Sequence, residues 1–310
     1  VAGDGVIIEV GLNENRSRSE NRNVPRTPDE LAEAARACAD AGASIVHFHG
    51  RTGPEAKPAL SEPEPNLAAL RAITEATTLI AYPSYGSEVR VLGYYDIGTP
   101  APERYAHFRA AVEAGLRLEV APVDLGSFDV NARFEPGRGL VPSTGMLLNT
   151  GRDQHWMLDF CSEHGIKPHF TLFDTAHLMN LLNLSLWKRL GEPPTVVKLF
   201  LAGLNATPRT LLFFHDRLQE LLPGGDLLWM PLVYGVDQFP LCTLSLALGG
   251  HVRIGIGDHP YRERGEPTSA RLVEQIVGVA RAMGREPLSP AETRQRMGLR
   301  PWHSPSGPRR

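Results

Sequence analysis

Thr27-Pro28-Asp29-Glu30, followed at the end of the same segment by Ala41-Gly42-Ala43-Ser44-Ile45-Val46-His47-Phe48-His49-Gly50-Arg51, reads as a helix and the strand after it. Thr27 is a good N-cap, Pro28 suits the first helical position, and the acidic pair favours the positive end of the helix dipole. Gly42 stops the helix. The apolar run that follows closes on two histidines one residue apart. In a strand, residues i and i+2 project to the same side, so His47 and His49 point together. Two imidazoles on one face can share a divalent metal. The blander reading is two histidines packed separately in a core.

The same alternation runs through the chain. Strands are predicted near residues 6–12, 44–49, 78–82, 117–121, 168–173, 196–201, 227–233 and 252–256. Helices are predicted over 27–41, 102–114 and 151–164, from Thr207-Pro208 onward, and over 268–283. Eight strands alternating with helices predict an α/β fold of the (β/α)8 TIM barrel type, as a single domain over residues 1–300. The tail from Pro301-Trp302-His303 to Arg310 is rich in Pro, Ser and Arg and is predicted to be flexible or docked on a neighbour. An open doubly wound sheet is the runner-up, but no Gly-x-Gly-x-x-Gly follows the first strand. In such barrels the active site lies at the C-terminal ends of the strands. The histidine pair falls at the end of the second strand, which favours the metal reading.

Composition excludes several classes. With 310 residues, 42% hydrophobic, and a net charge of −3, the chain reads as globular and offers no basic surplus for nucleic acid. No apolar run approaches the roughly 18 residues of a membrane span. No basic segment precedes Val6-Ile7-Ile8, so no signal peptide is visible. Cys38, Cys161 and Cys242 stand at no metal or disulfide spacing and fit a reducing cytoplasm.

Several further motifs resemble those of the β-keto acid cleavage enzymes, typified by 3-keto-5-aminohexanoate cleavage enzyme. His47-Phe48-His49-Gly50-Arg51 is similar to the family's His-x-His-x-Arg signature, and Pro83-Ser84-Tyr85-Gly86-Ser87 to its substrate loop. Gly165-Ile166-Lys167-Pro168 and Phe173-Asp174 resemble the flanks of its fifth strand. Gly235-Val236-Asp237-Gln238-Phe239 resembles its glutamine loop, and Gly249 to Asp258 its eighth-strand motif. The resemblance implies an oligomeric (dimeric or tetrameric), zinc-dependent barrel. It implies condensation of a β-keto acid with acetyl-CoA through a metal-stabilised enolate, giving a new CoA ester and acetoacetate.

Residue by residue, the resemblance makes His47 and His49 zinc ligands, Asp258 the general base, Arg253 the arginine that holds it, and Ser84 a substrate-binding serine. An arginine beside a carboxylate keeps it ionised and oriented. Asn13, Tyr85, Gly86, Asp124, His169 and Thr171 fall at substrate-pocket positions. The family's third ligand is a glutamate, and that position is Gly257 here. A catalytic zinc site needs three protein ligands and an open position. His259, His169 and Glu9 are the candidates, with His259 favoured as nearest the vacated place. Glu14 supplies an acid to the site only if its loop shifts, since strict register puts Arg16 at the family's loop glutamate. Arg16 or Arg18 would otherwise meet an anionic substrate. Iron, cobalt or nickel would also suit imidazole ligands with an open position.

His169 and Thr171 stand where the family has two acids, Pro122 where it has a small hydroxyl residue, and Val236 where it has a loop arginine, while Asp124 and Gly126 are retained. These changes remove polar contacts that an amino-bearing keto acid needs. Two other functions stay open: a CoA-independent metal-dependent carbon–carbon lyase, aldolase, decarboxylase or hydrolase, and a catalytically inactive binding protein on the same barrel.

Overall fold

The computed structural model describes residues 5–53, 55–85, 99–129, 133–135, 139–141, 146–223 and 227–300. Eight parallel strands carry the alternation: β1 (Ile8–Gly11), β2 (Ile45–Phe48), β3 (Ile80–Pro83), β4 (Val120–Asp124), β5 (Lys167–Leu172), β6 (Thr195–Ala202), β7 (Leu227–Tyr234) and β8 (Val252–Ile254). They form two four-stranded sheets, in the orders β8-β1-β2-β3 and β7-β6-β5-β4. β3 packs beside β4 and β7 beside β8, so the two sheets curve into one (β/α)8 barrel. Purely parallel strands need crossovers, and helices supply them.

Those helices are α1 (Pro28–Ala41), α2 (Pro63–Ala76), α3 (Ala106–Glu113), α4 (Gly151–His164), α5 (His177–Leu186), α6 (Pro208–Leu221), α7 (Phe239–Ala247) and α8 (Ser269–Ala282). α1 starts in a full capping box: the Thr27 side chain accepts from the Glu30 N–H while Glu30 reaches back to the N-cap backbone. It ends at Gly42, whose φ of 112° suits a residue without Cβ. Leu31, Ala35 and Cys38 make its buried stripe, to which Leu31 alone contributes roughly 1.5–3 kcal/mol.

One strand boundary differs from expectation. β4 begins at Val120 rather than near residue 117. The Arg117 guanidinium donates to the Thr77 and Leu79 carbonyls and Glu119 receives Arg294, so these residues belong to the barrel floor. Helices α2, α5 and α7, outside the predicted helices, have no side-chain N-cap bond; their sequence signals are Pro63 and Glu64 at the start of α2 and Pro240 at the start of α7. Among the described residues no helix is long and apolar enough to cross a membrane. The tail from residue 301 and the expected substrate residue Gly86 lie outside the described residues.

Candidate metal and acid–base site

Strand register sets which side chains meet in the barrel. Gly11 pairs with His47 and His47 with Tyr82, while Glu9 pairs with Arg253. On the opposite wall Asp124, Thr171 and Lys198 share one level. All of these residues but Gly11 have buried side chains.

His47, His49 and Glu14 come together. One ligand atom from each lies within 4.8 Å of the others. A Glu14 carboxylate oxygen is 2.7 Å from His49 Nε2, and the other is 3.4 Å from His47 Nε2. Yet His49 Nε2 makes no hydrogen bond despite being buried. A buried imidazole nitrogen left without a hydrogen bond, converging with a second imidazole and a carboxylate, fits the ligand set of a catalytic zinc site with one position open. Burial brings His47 down to about 4, with the Arg253 charge adding to it against the pull of Glu14. The ring is therefore neutral, the form that binds a metal.

The third member of this cluster is not His259. That ring packs 4.6 Å from Tyr261, and its Nε2 lies 2.8 Å from Glu263 Oε1, so the expectation is corrected in favour of Glu14. Gly257 explains the exchange. A Cβ there would sit 2.9 Å from Glu14 Cγ and 2.7 Å from the Asn13 amide nitrogen. The volume that a residue-257 side chain would enter is filled by Glu14 reaching across from the β1 loop. His169 and Glu9 are not in the cluster either. His169 is fully buried one level lower, near Tyr82, with neither nitrogen bonded. One Glu9 oxygen accepts from Tyr82, Lys198 and Arg253 at 2.6–2.7 Å. Lys198 and Arg253 outweigh the burial of Glu9 and hold its carboxyl well below the usual range.

Glu14 reaches the histidines through a left-handed backbone, φ 32°, uncommon for a residue with Cβ. Arg51 holds it there. One guanidinium nitrogen donates to the carbonyls of Asn13, Glu14 and Arg16 at 2.7, 2.8 and 3.1 Å. The arginine of the His-x-His-x-Arg stretch is thus a clamp for the loop that delivers the third donor. Asn13 serves the same end. Its side chain accepts from the His49 N–H at 2.8 Å and donates to the His49 and Pro25 carbonyls. Its amide is fully engaged by backbone, which corrects its expected place as a substrate contact.

Arg253 is the centre of the charge network. Its guanidinium bonds both oxygens of Asp258 at 2.8 and 2.9 Å, Glu14 at 2.5 Å and Glu9 at 2.7 Å. Gln238, buried, donates to Asp258 at 3.3 Å and accepts from the Gly255 N–H and the Tyr261 hydroxyl. Burial, with the Glu14 and Glu9 charges, raises the Asp258 carboxyl above its ordinary value against the pull of Arg253. Lys198, brought to about 8 by burial and by Arg253, is the second buried cation. Three carboxylates (Glu9, Glu14 and Asp258) thus face two cations. A buried surplus of negative charge is costly, and a divalent cation at Glu14 would reverse it. Lys198 carries no local signal in the sequence, and the His-x-His-x-Arg stretch does not say that Arg51 clamps the β1 loop; strand register and loop path give both their partners.

The remaining expected residues divide. Ser84 is half-buried, and among the described residues its hydroxyl makes one long 3.4 Å contact, to the Tyr85 carbonyl, which suits it to a substrate. The Tyr85 hydroxyl accepts from the Asp124 N–H and bonds its carboxyl, and Thr171 bonds that carboxyl too. Burial pushes Asp124 up to about 6 despite these bonds and the Arg104 and Lys198 charges. Arg16 donates to the Gly257 and Asp258 carbonyls at 3.2 and 2.9 Å and lies over the Tyr234 ring, tying the β1 and β8 loops together. Arg18 pairs with Glu30 at the surface, outside the site.

A parallel barrel with a carboxylate–bis-imidazole cluster and an arginine-held aspartate at the C-terminal ends of its strands has the layout of a barrel enzyme. The chain belongs to the beta-keto acid cleavage enzyme family, whose sequence model matches residues 5–299. Among relatives, the 3-keto-5-aminohexanoate cleavage enzyme of Acetoanaerobium sticklandii is 28% identical over 91% of this chain and 94% of its own. The 3,5-dioxohexanoate:acetyl-CoA acetone transferase of Paraburkholderia graminis is 27% identical over 89% and 90%. The solved structure of ObcA with oxaloacetate superposes with a TM-score of 0.68 at 17% identity, over 89% of this chain and 67% of that one. A 3-dehydroquinate dehydratase from Enterococcus faecalis shares the fold at a TM-score of 0.52 and 9% identity.

Proposed function

We propose that this protein transfers an acyl group between a β-keto acid and acetyl-CoA, using zinc held by Glu14, His47 and His49. The observation that carries the reading is the convergence of those three side chains beside the Arg253–Asp258 pair. With atoms balanced, R–CO–CH2–COO⁻ and acetyl-CoA give R–CO–S-CoA and acetoacetate. Zinc at this set would polarise a keto carbonyl and lower the cost of removing the adjacent proton.

The chain's own residues do the rest. Asp258 takes the proton from the carbon between the keto and carboxylate groups, and its raised pKa makes it a stronger base than an exposed aspartate. Arg253 fixes the plane of that carboxylate through two bonds and Gln238 supports it. The Ser84 hydroxyl donates to the substrate carboxylate. Homo-oligomerisation and a cytoplasmic place belong to this reading through the family likeness and the three buried free thiols.

His169 and Thr171 in place of acids, and Val236 in place of an arginine, favour a second reading in which the same site cleaves a keto acid without CoA. The test is metal content by elemental mass spectrometry for the wild type and a His47→Ala, His49→Ala double variant, followed by a keto-acid screen with and without acetyl-CoA. Stoichiometric zinc lost in the variant, with CoA ester formed only when acetyl-CoA is present, supports the transferase. Turnover without acetyl-CoA supports the second reading. Absence of bound metal even after reconstitution sinks both and leaves a binding protein.

A further inference from the structure

The mouth of the barrel has two unlike halves. The ends of β1, β2 and β8 carry the ionic groups described above. The opposite half is aromatic. Phe128 after β4, Phe173 after β5, Phe200 in β6 and Tyr234 at the end of β7 form a continuous wall. Phe128 and Phe173 stack with centroids 3.8 Å apart and planes 12° from parallel. Phe173 and Phe200 are 4.6 Å apart, and Phe200 and Tyr234 5.9 Å.

Register places Phe173 and Phe200 on the barrel side. Phe173 continues the alternation of His169 and Thr171, and Phe200 that of Lys198; Phe128 lies beyond a bend after β4, in a short antiparallel pair with Met146–Leu147, and joins them by its stack on Phe173. All four are half-buried, unlike the sealed core below them. The wall also reaches the reacting centre. Arg16, which bonds the Gly257 and Asp258 carbonyls, lies 4.6 Å over the Tyr234 ring, and Tyr234 feels the Glu14 and Asp258 charges. Half-buried aromatic surface beside a polar site is the usual make-up of a small-molecule pocket.

We infer that this wall receives the R group of the keto acid, and that R is apolar, an aryl or alkyl chain rather than an amino- or carboxylate-bearing one. The inference rests on the proposed function for which end of the substrate meets the metal. With the carboxylate and keto groups at Ser84, the metal set and Asp258, R extends across the mouth to Phe173 and Phe200. Beneath the wall Asp124 already bonds Tyr85 and Thr171, and Lys198, level with it, repels a cationic R. A carboxylate-bearing R would lose its hydration against the rings, at a desolvation cost, and Lys198 below them is already engaged by Glu9 and Tyr82.

The test uses the zinc-loaded protein and three acids of one core: 3-oxo-3-phenylpropanoate, 3-oxohexanoate and 3-oxoadipate. Calorimetric binding is measured alongside CoA ester formation with acetyl-CoA. The phenyl and propyl acids are expected to bind and react about tenfold or more better than 3-oxoadipate, in the range that apolar contacts give. Phe173→Ala and Phe200→Ala should erase that advantage while zinc content and 3-oxoadipate binding hold. Equal or better binding of 3-oxoadipate overturns the inference, as does an equal loss of all three acids in the variants, which would mean the rings only pack. If the apolar acids bind selectively but no CoA ester forms, the transferase reading fails and the pocket assignment stands.

Discussion

Glu14 is the residue on which the site turns. It is delivered by a strained backbone, clamped by Arg51, and fills the space left by Gly257. Glu14→Ala should therefore weaken zinc binding by more than about 100-fold, beyond what losing an outer partner of a ligand costs. His259→Ala should leave it unchanged. Competition with a chromogenic chelator measures both, and the opposite order would return His259 to the site. Asp124 gives a separate test. Its folded pKa of about 6 lies above the ordinary 3.8, so the folded state holds the proton more tightly. Its stabilising contribution is complete below pH ~4 and is lost as pH rises through ~6, by at most about 3 kcal/mol. Asp124→Asn keeps a neutral group there and removes that dependence. Urea unfolding at pH 4 and pH 6.5 should show the variant gaining about 1–3 kcal/mol on the wild type between the two. A constant difference would mean that Asp124 is ionised throughout.

At the scale of elements, the strand ends decide the chemistry. Gly257 follows β8 and abuts backbone of the β1 loop, with Gly11 O 2.9 Å from an added Cβ. Backbone cannot move aside cheaply, so Gly257→Ala should cost about 1–3 kcal/mol of stability and also weaken zinc binding, because its Cβ displaces Glu14. Thermal unfolding with and without zinc reads both effects; a variant that loses stability but binds zinc normally would separate Gly257 from the site. The eight strands were legible because each is a short apolar run between turn signals, and α1 because Thr27, Pro28, Glu30 and Gly42 are all local signals. The side-by-side projection of His47 and His49 was legible from the period of a strand, although β2 itself ends at Phe48. The third donor was legible only as an acid that a loop shift would bring to the site. Neighbouring residues do not say that Glu14 adopts a positive φ, since that depends on Arg51, 37 positions away. Asn13 was misread for the same reason: its partner, His49, belongs to the next strand.

For the whole molecule, the metal set joins the start of the chain to β2, and Arg253 brings in β8, so the site spans the seam where the first and last strands meet. A ligand that binds only the folded barrel stabilises it by mass action, and here it would also offset the excess of three buried carboxylates over two cations. Zinc removal should therefore lower the unfolding temperature. At free zinc 100 times its dissociation constant the linkage amounts to about 2.7 kcal/mol, which for a domain of this size is a shift of several degrees. Differential scanning calorimetry of the chelated and reloaded protein measures it. The His47→Ala, His49→Ala variant should unfold at one temperature in both states, because it has lost the imidazoles without losing the barrel. A wild type equally indifferent to zinc would mean that Glu14 and the two histidines are held in place by Arg253, Arg51 and Asn13 alone, and that the cluster is a buried ion network with no metal in it.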